Sequence, residues 1–278
     1  MRAALVQLSS GDDPAANLAS TAEWIKQAAA GGADLILTPE VTNCVSSSRQ
    51  RQMDVLQDEA SDQTLAGIRS LAADLRKWVL IGSLGLKTND TDGRFANRSF
   101  LIGPDGKVLA KYDKIHMFDV DVSATETYRE SAGYRPGAEA VLAQTPFGTI
   151  GMTICYDVRF AHLHRSLAKA GAHIITVPAA FSPTTGEAHW EVLLRARAIE
   201  TGCFILAPAQ TGLHPSTTGQ ERRTYGHSLA ISPWGEVLVD AGEDEGVTFV
   251  DFDLEAVAKA RGRVPSLLHD REISGPYA

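Results

Sequence analysis

The sequence predicts an α/β fold of four layers, helix, sheet, sheet, helix (an αββα sandwich), with an internal pseudo-two-fold repeat. Three observations carry that prediction. Apolar strand-like runs alternate along the chain with helical periodicities. The same order of elements occurs twice. The strands are apolar on both faces, so a sheet with helices on one side still needs cover on the other. A second such sheet supplies it.

Taken in order, residues 3–8 read as a strand and 14–30 as a helix, with Leu18, Ala22, Ile25 and Ala29 on one face and Gly31-Gly32 ending it. Residues 33–40 are an apolar strand finishing in Pro39-Glu40, and 43–59 a polar surface loop with a short helix. A helix spans 62–77 and a buried strand 78–84. A hairpin then pairs 98–102 with 107–112 around Pro104-Asp105-Gly106. The second half repeats this as strand 149–155, helix 160–170, strand 173–178, helix 186–202 and strand 203–207, followed by a hairpin of 227–232 with 236–240 around Pro233-Trp234-Gly235. The tail begins with a strand at 247–252 and a short helix from Leu254. It ends irregularly with Val264, Leu267 and Leu268, which need cover from the chain's own core or from a partner subunit. The expectation is one domain over 1–278, with 254–278 a C-terminal tail at a subunit interface.

Composition narrows the function. A net charge of −8 and the absence of a dense Lys/Arg block argue against a nucleic-acid surface. No apolar run approaches the roughly 20 residues that span a bilayer, and the N-terminus lacks a signal-peptide pattern. Cys44, Cys155 and Cys203 are odd in number and widely spaced, unlike a disulfide framework or a zinc site. A cytoplasmic protein is expected. No His/Asp/Glu cluster has metal-ligand spacing, so neither metal nor other cofactor is expected.

Three polar groups stand at strand ends, where rigid sheets meet variable loops. Cys155 closes the run Ile150, Met152, Ile154 just before the helical pattern from Phe160. It reads either as a small buried hydrophobe or as a nucleophile helped by a helix N-terminus. Glu40, straight after Pro39, reads as a turn acid or as a desolvated general base with a raised pKa. Lys114 follows the first hairpin, and the pattern alone does not separate it from Lys111. A cysteine, a lysine and a glutamate together supply nucleophile, oxyanion cation and proton carrier. His116, His164, His189 or His227 paired with Cys155 is the rival arrangement, without an orienting Asn or Asp evident in the sequence.

The segments Leu37-Thr38-Pro39-Glu40, Tyr112-Asp113-Lys114-Ile115-His116 and Gly151-Met152-Thr153-Ile154-Cys155-Tyr156-Asp157-Val158-Arg159-Phe160 resemble, in order and spacing, the nitrilase (carbon–nitrogen hydrolase) superfamily. The resemblance runs from about residue 1 to 253. It implies an αββα sandwich that dimerises through the face beside the active site, and a Glu40–Lys114–Cys155 triad. It also implies a second carboxylate, matched by Glu130. Tyr128-Arg129-Glu130-Ser131, Ala207-Pro208-Ala209-Gln210 and Tyr225-Gly226-His227-Ser228 look most like the branch acting on deaminated glutathione. The ω-amidases of 2-oxoglutaramate are the alternative. Thr38, Ala161 and Met117 depart from the usual pattern without touching the triad.

The expected reaction is hydrolysis of a primary amide of a small carboxylate substrate to acid and ammonia through a thioester on Cys155. Nitrile or N-carbamoyl hydrolysis runs through the same sulfur. A non-catalytic binding subunit with this fold is disfavoured by the presence of all three residue types. For substrate binding the sequence offers the Tyr156 backbone, Arg159, Arg129 and His227, with surface ion pairing as the competing fate of the arginines.

Overall fold

A computed structural model describes residues 1–123, 126–219 and 221–275; the last three residues of the tail lie outside them. The first half runs β1 (Arg2–Gln7), α1 (Pro14–Ala30), β2 (Leu35–Leu37), α2 (Arg49–Val55), α3 (Gln63–Leu75), β3 (Trp78–Leu86), β4 (Ala96–Ile102) and β5 (Val108–Asp113). A short hairpin of β6 (Asp119–Asp121) and β7 (Thr127–Arg129) leads to β8 (Val141–Thr145). The second half runs β9 (Gly148–Met152), α4 (Ala161–Lys169), β10 (Ile174–Thr176), α5 (Pro183–Thr201) and β11 (Phe204–Ala207). The pair β12 (Thr211–Leu213) and β13 (Arg223–Tyr225) follows, then β14 (Leu229–Ile231), β15 (Val237–Asp240), β16 (Gly246–Asp251) and α6 (Glu255–Arg263).

Each six-stranded sheet has three parallel strands flanked by antiparallel ones. The orders are β16-β1-β2-β3-β4-β5 and β15-β14-β11-β10-β9-β8. The two sheets therefore match strand for strand in order, with β1, β2 and β3 corresponding to β9, β10 and β11. The sixth strand of each half joins the other half's sheet. β8 follows the first half but pairs with β9, and β16 follows the second but pairs with β1 along its whole length. Neither sheet is complete without the other half.

Strand alternation builds the layers. Ala4, Val6, Ile36, Val79 and Ile81 face Ile25, Ala28, Ile68 and Ala72 of α1 and α3. Their neighbours Ala3, Leu5, Leu35, Leu37 and Leu80 face inward and share a core with Ile150, Met152, Ile174 and Ile205 of the second sheet. Leu163 and Leu167 of α4 and Trp190, Leu194 and Ala198 of α5 cover that sheet's outer side. Helix starts follow from their caps. Asp13, Asp62 and Ser182 each accept backbone N–H bonds, with Pro14 and Pro183 in the first turns. The αββα sandwich expected from the repeat is the fold.

Local differences have local causes. The buried face of α1 is Asn17, Thr21, Ile25 and Ala28, rotated from the apolar set read in the sequence. Asn17 is drawn inside because it bonds the Gly11 and Asn43 carbonyls at 2.9 and 2.8 Å. The tail is split: Leu267 packs on the core, whereas Val264 and Leu268 are exposed. The strand pairs β6–β7 and β12–β13 are too short for a period to register.

Because each half contributes a strand to the other's sheet, both should unfold together. Leu80→Ala, which empties a fully buried site between the sheets, is expected to cost about 2–5 kcal/mol. In urea titrations, near-UV and far-UV signals should shift by the same amount. Two separated transitions would contradict the strand exchange.

Candidate active site

The ends of the parallel strands of both sheets meet, and the site is built there. Past β2, Thr38-Pro39-Glu40 runs against Pro178, which follows β10. Gly82 makes this approach possible, since a Cβ there would lie 2.1 Å from the Thr38 carbonyl oxygen and 2.5 Å from the Pro178 Cβ. The Thr38 hydroxyl accepts the Gly82 N–H at 3.2 Å and bonds Thr42 Oγ1 at 2.8 Å, which explains a hydroxyl where an apolar side chain is usual. Past β5, Lys114 is fixed by its N–H to the Asn97 carbonyl at 2.9 Å and by accepting Gly137 N–H at 2.7 Å. Past β9, Cys155 heads a 3-10 turn, Cys155–Arg159, with φ of 50°. Its N–H donates to Pro178 O at 2.9 Å.

These ends bring four side chains together. Lys114 Nζ donates to Glu40 Oε1 at 2.9 Å and to Glu130 Oε1 and Oε2 at 2.9 and 2.8 Å. Glu40 Oε2 accepts the Ala180 N–H at 2.8 Å, and the Cys155 thiol lines the same cavity close enough for each group to shift the other's pKa. Glu130 Oε2 also accepts the Phe118 N–H at 2.6 Å. Glu40, Lys114 and Cys155 are 4%, 2% and 7% exposed. They floor a cavity of about 420 Å³ whose wall includes Arg49, Tyr128, Arg129, Tyr134 and Arg222.

Electrostatics sets the resting protonation. Burial by itself would raise the Glu40 pKa, as expected from the sequence. The charge of Lys114, the hydrogen bonds from Lys114 and Asn97, and the neighbouring Cys155 outweigh it, and the net direction is down. Burial works against the Lys114 ammonium, but Glu130 and Glu40 hold its pKa well above the usual lysine value. Burial and the neighbouring Glu40 charge push the Cys155 thiol up, against the opposing pull of Lys114. The resting cluster is thus thiol, ammonium and carboxylate. The helix N-terminus expected to favour a thiolate is displaced, because α4 begins only at Ala161.

Two further residues hold the cluster, and the sequence did not single them out. Asn97 Nδ2 bonds Glu40 Oε1 at 2.9 Å and Glu130 Oε1 at 3.4 Å. Asp157, fully buried, accepts Tyr112 Oη at 2.6 Å, His116 N–H at 3.1 Å and Ile154 N–H at 2.9 Å, with His116 Nδ1 at 2.7 Å. It ties both flanks of Lys114 to the turn carrying Cys155. Asn97 sits in the polar run Asn97-Arg98-Ser99 at the start of β4, where nothing in the pattern separates it from its neighbours.

The other candidates lie elsewhere. The Tyr156 ring packs edge-on against Phe118 and Phe160 and does not line the cavity. Arg159 is outside it too, 5.8 and 5.7 Å from the Tyr156 and Phe181 rings and 3.3 Å from His189 Nδ1. Arg129 reaches the wall but is held by Asp121. His227 bonds Asp240 at 3.0 Å and lies outside the cavity. No histidine lines the cavity among the described residues, which removes the Cys–His rival. His116 does have an aspartate partner, but it is stacked on Phe160 at 3.5 Å. Cys44 lines the cavity wall, and Cys203 is buried beneath the sheet with Arg261 at 3.1 Å.

A family model described as carbon-nitrogen hydrolase matches residues 2–262. The chain is 40% identical to a deaminated glutathione amidase of Yersinia enterocolitica, over 98% of this chain and 93% of that one. It superposes with a TM-score of 0.89 on the NitFhit protein of C. elegans, at 33% identity, covering 97% of this chain and 65% of that one. It also superposes, with a TM-score of 0.77 and 25% identity over 95% of this chain and 98% of the other, on a mutant amidase from Nesterenkonia that shows acrylamide added at the active site cysteine. No described helix is long and apolar enough to cross a membrane.

The balance of charges gives a stability prediction with a definite sign. Glu40 has a lowered pKa when folded, so its contribution is present above its usual 4.5 and is lost as pH falls through the folded value. Lys114→Met removes the main opposing charge and lets burial dominate, so the folded pKa rises above the unfolded one. At pH 7 this variant should lose about 3–5 kcal/mol. Its deficit relative to the unaltered protein should shrink at pH 5 in urea titrations. An equal deficit at both pH values would show that Lys114 does not hold Glu40 down.

Proposed function

The chain belongs to the carbon–nitrogen hydrolase family and is an amidase of the nitrilase superfamily; on that premise we propose that Glu40, Lys114 and Cys155 carry the reaction, with Glu130 holding the lysine. The observation that carries this reading is the buried contact of thiol, ammonium and carboxylate at the floor of one cavity.

In the proposed sequence Glu40 takes the Cys155 proton as the sulfur attacks the amide carbon. The carbonyl electron pair moves to oxygen, and that oxyanion is met by Lys114 Nζ and the Tyr156 N–H. At rest Lys114 Nζ contacts one Glu40 oxygen and both Glu130 oxygens. Protonation of Glu40 weakens one of those bonds as charge develops on the substrate oxygen, so a donor becomes free when it is needed. Glu40 then gives the proton to the leaving nitrogen, the C–N bond breaks and a thioester remains. Water, deprotonated by Glu40, attacks the thioester carbon; the C–S bond breaks, the acid leaves, and Glu40 returns the proton to the Cys155 sulfur. Because the resting thiol is protonated, attack is coupled to proton transfer.

Deaminated glutathione is the first substrate to test, given the name of the 40% identical relative; 2-oxoglutaramate is the second. The former carries secondary amides and so loses an amine, whereas the latter loses ammonia. The same proton carrier serves both. Nitriles and N-carbamoyl compounds complete the panel. We also place the protein in the cytoplasm, since its three cysteines are all free and buried.

We further propose a homodimer through the outer face of α5. Val192 and Ile199, two helical turns apart, are 67% and 57% exposed, and Trp234 beside Ile199 is 49% exposed. The tail's Leu268 is also bare. Ile199→Glu should convert a dimer in sedimentation velocity to monomer; an unchanged sedimentation coefficient would place the interface elsewhere.

The mechanism is tested by intact-mass spectrometry during turnover. An acyl adduct should map to Cys155 and be absent in Cys155→Ala, and Lys114→Ala should lower kcat by about 10²–10³. Substantial product release by Cys155→Ala would rule the nucleophile out.

A further inference from the structure

The cavity wall is cationic although the chain carries a net charge of −8. Arg49, Arg129 and Arg222 all line it, and their states differ. Arg129 is held by both Asp121 oxygens at 2.7 and 2.9 Å. Arg49 lies over Phe95, 3.7 Å from the ring centre, and donates only to the Gly133 and Gly93 carbonyls, at 3.0 and 2.6 Å. Arg222 is half-buried just before β13. Among the described residues neither Arg49 nor Arg222 has a carboxylate within ion-pair distance. The charge of each acts on the hydroxyl of Tyr134, which lines the same cavity, and that of Arg222 acts also on Tyr128.

A guanidinium that has given up part of its water without gaining a counter-ion is costly to hold. It suits a carboxylate, which it can bind through two parallel bonds. The cavity, at about 420 Å³, has room for a substrate extending well beyond its reacting amide. We propose that Arg222, together with Arg49 of the same cavity wall, is a carboxylate-binding subsite that recognises an anionic group of the substrate several bonds from the scissile amide. The assignment rests on the amidase reading of this cavity, and it replaces Arg159 and Arg129 as the residues that read substrate charge. The carboxylates at the floor exclude an anion there, so the subsite also orients the substrate, amide inward and acid outward.

The test begins with a ligand that does not react. Calorimetric titration of the full chain with glutarate should show binding to one site that weakens as salt is added. In Arg222→Gln the affinity should fall roughly 10- to 150-fold, the range for losing a hydrogen bond to a charged group. Arg222→Lys, with the charge but not the planar fork, should fall less, and Arg49→Gln should fall by a smaller factor. Absence of glutarate binding, or equal affinity in the unaltered and Arg222→Gln proteins with matching melting temperatures, overturns the subsite. Turnover of glutaramate and of neutral glutaramide then separates the two readings. If the protein binds glutarate as described but releases neither ammonia nor an amine from any amide of the panel, deaminated glutathione included, the amidase reading fails and the subsite stands. With turnover, the ratio of kcat/KM for glutaramate over glutaramide should drop in Arg222→Gln, mainly through KM. A ratio that does not move overturns the subsite.

Discussion

The structure turns on one buried cation. Lys114 is almost wholly removed from water, a state an ammonium tolerates only when counter-charges replace its hydration. Glu40 and Glu130 supply them with three contacts of 2.8–2.9 Å. Much of the surrounding architecture keeps those carboxylates in place. Asn97 bonds both, the Phe118 N–H holds Glu130, and the Ala180 N–H holds Glu40. Without the lysine two buried acids would face each other. Without either acid the lysine would lose its ionised form or its burial. The same balance keeps the Cys155 thiol protonated until something draws its proton to Glu40.

The fold serves this cluster through its duplication. Glu40 and Lys114 come from the first half, Cys155 and Ala180 from the second, and the exchanged strands β8 and β16 prevent the halves from drifting apart. Close backbone approach does the rest. Pro178 accepts the Cys155 N–H and lies against Gly82, so the loop after β10 touches the turn carrying Cys155 and the strand next to Glu40. Gln210 bonds Ser10 and the Glu40 carbonyl at 3.0 Å each, joining both halves directly above the strand ends. The two sheets present similar loops, but only one side carries the acid and the lysine, so near-symmetric scaffolding yields a single site.

Asp157 shows how a motif residue can matter without touching substrate. Its two oxygens gather Tyr112, His116 and the Ile154 N–H. They connect the segment bearing Lys114 to the turn bearing Cys155, 41 residues apart between His116 and Asp157. The unusual φ of Cys155 is held by that clamp and by Pro178, which fits the tendency of strained backbone to collect at reacting groups.

The sequence by itself determined the layers and the repeat, and it singled out Glu40, Lys114 and Cys155 through their flanking motifs, because these are written in short-range patterns. Strand alternation, helical spacing, Pro-Gly turns and the triad's flanking motifs each span a few residues. What only the tertiary structure decided are relations between residues far apart in the chain. Glu40 meets Lys114 across 74 residues and Ala180 across 140. Those distances reversed the expected direction of the Glu40 pKa, since burial is readable from an apolar run while the compensating charge is not. They also moved the cationic wall from Arg159 to Arg222 and Arg49. Arg49 opens the short helix α2, Arg159 ends a 3-10 turn and Arg222 precedes β13, places too short or irregular for a periodicity to tell which way a long side chain points.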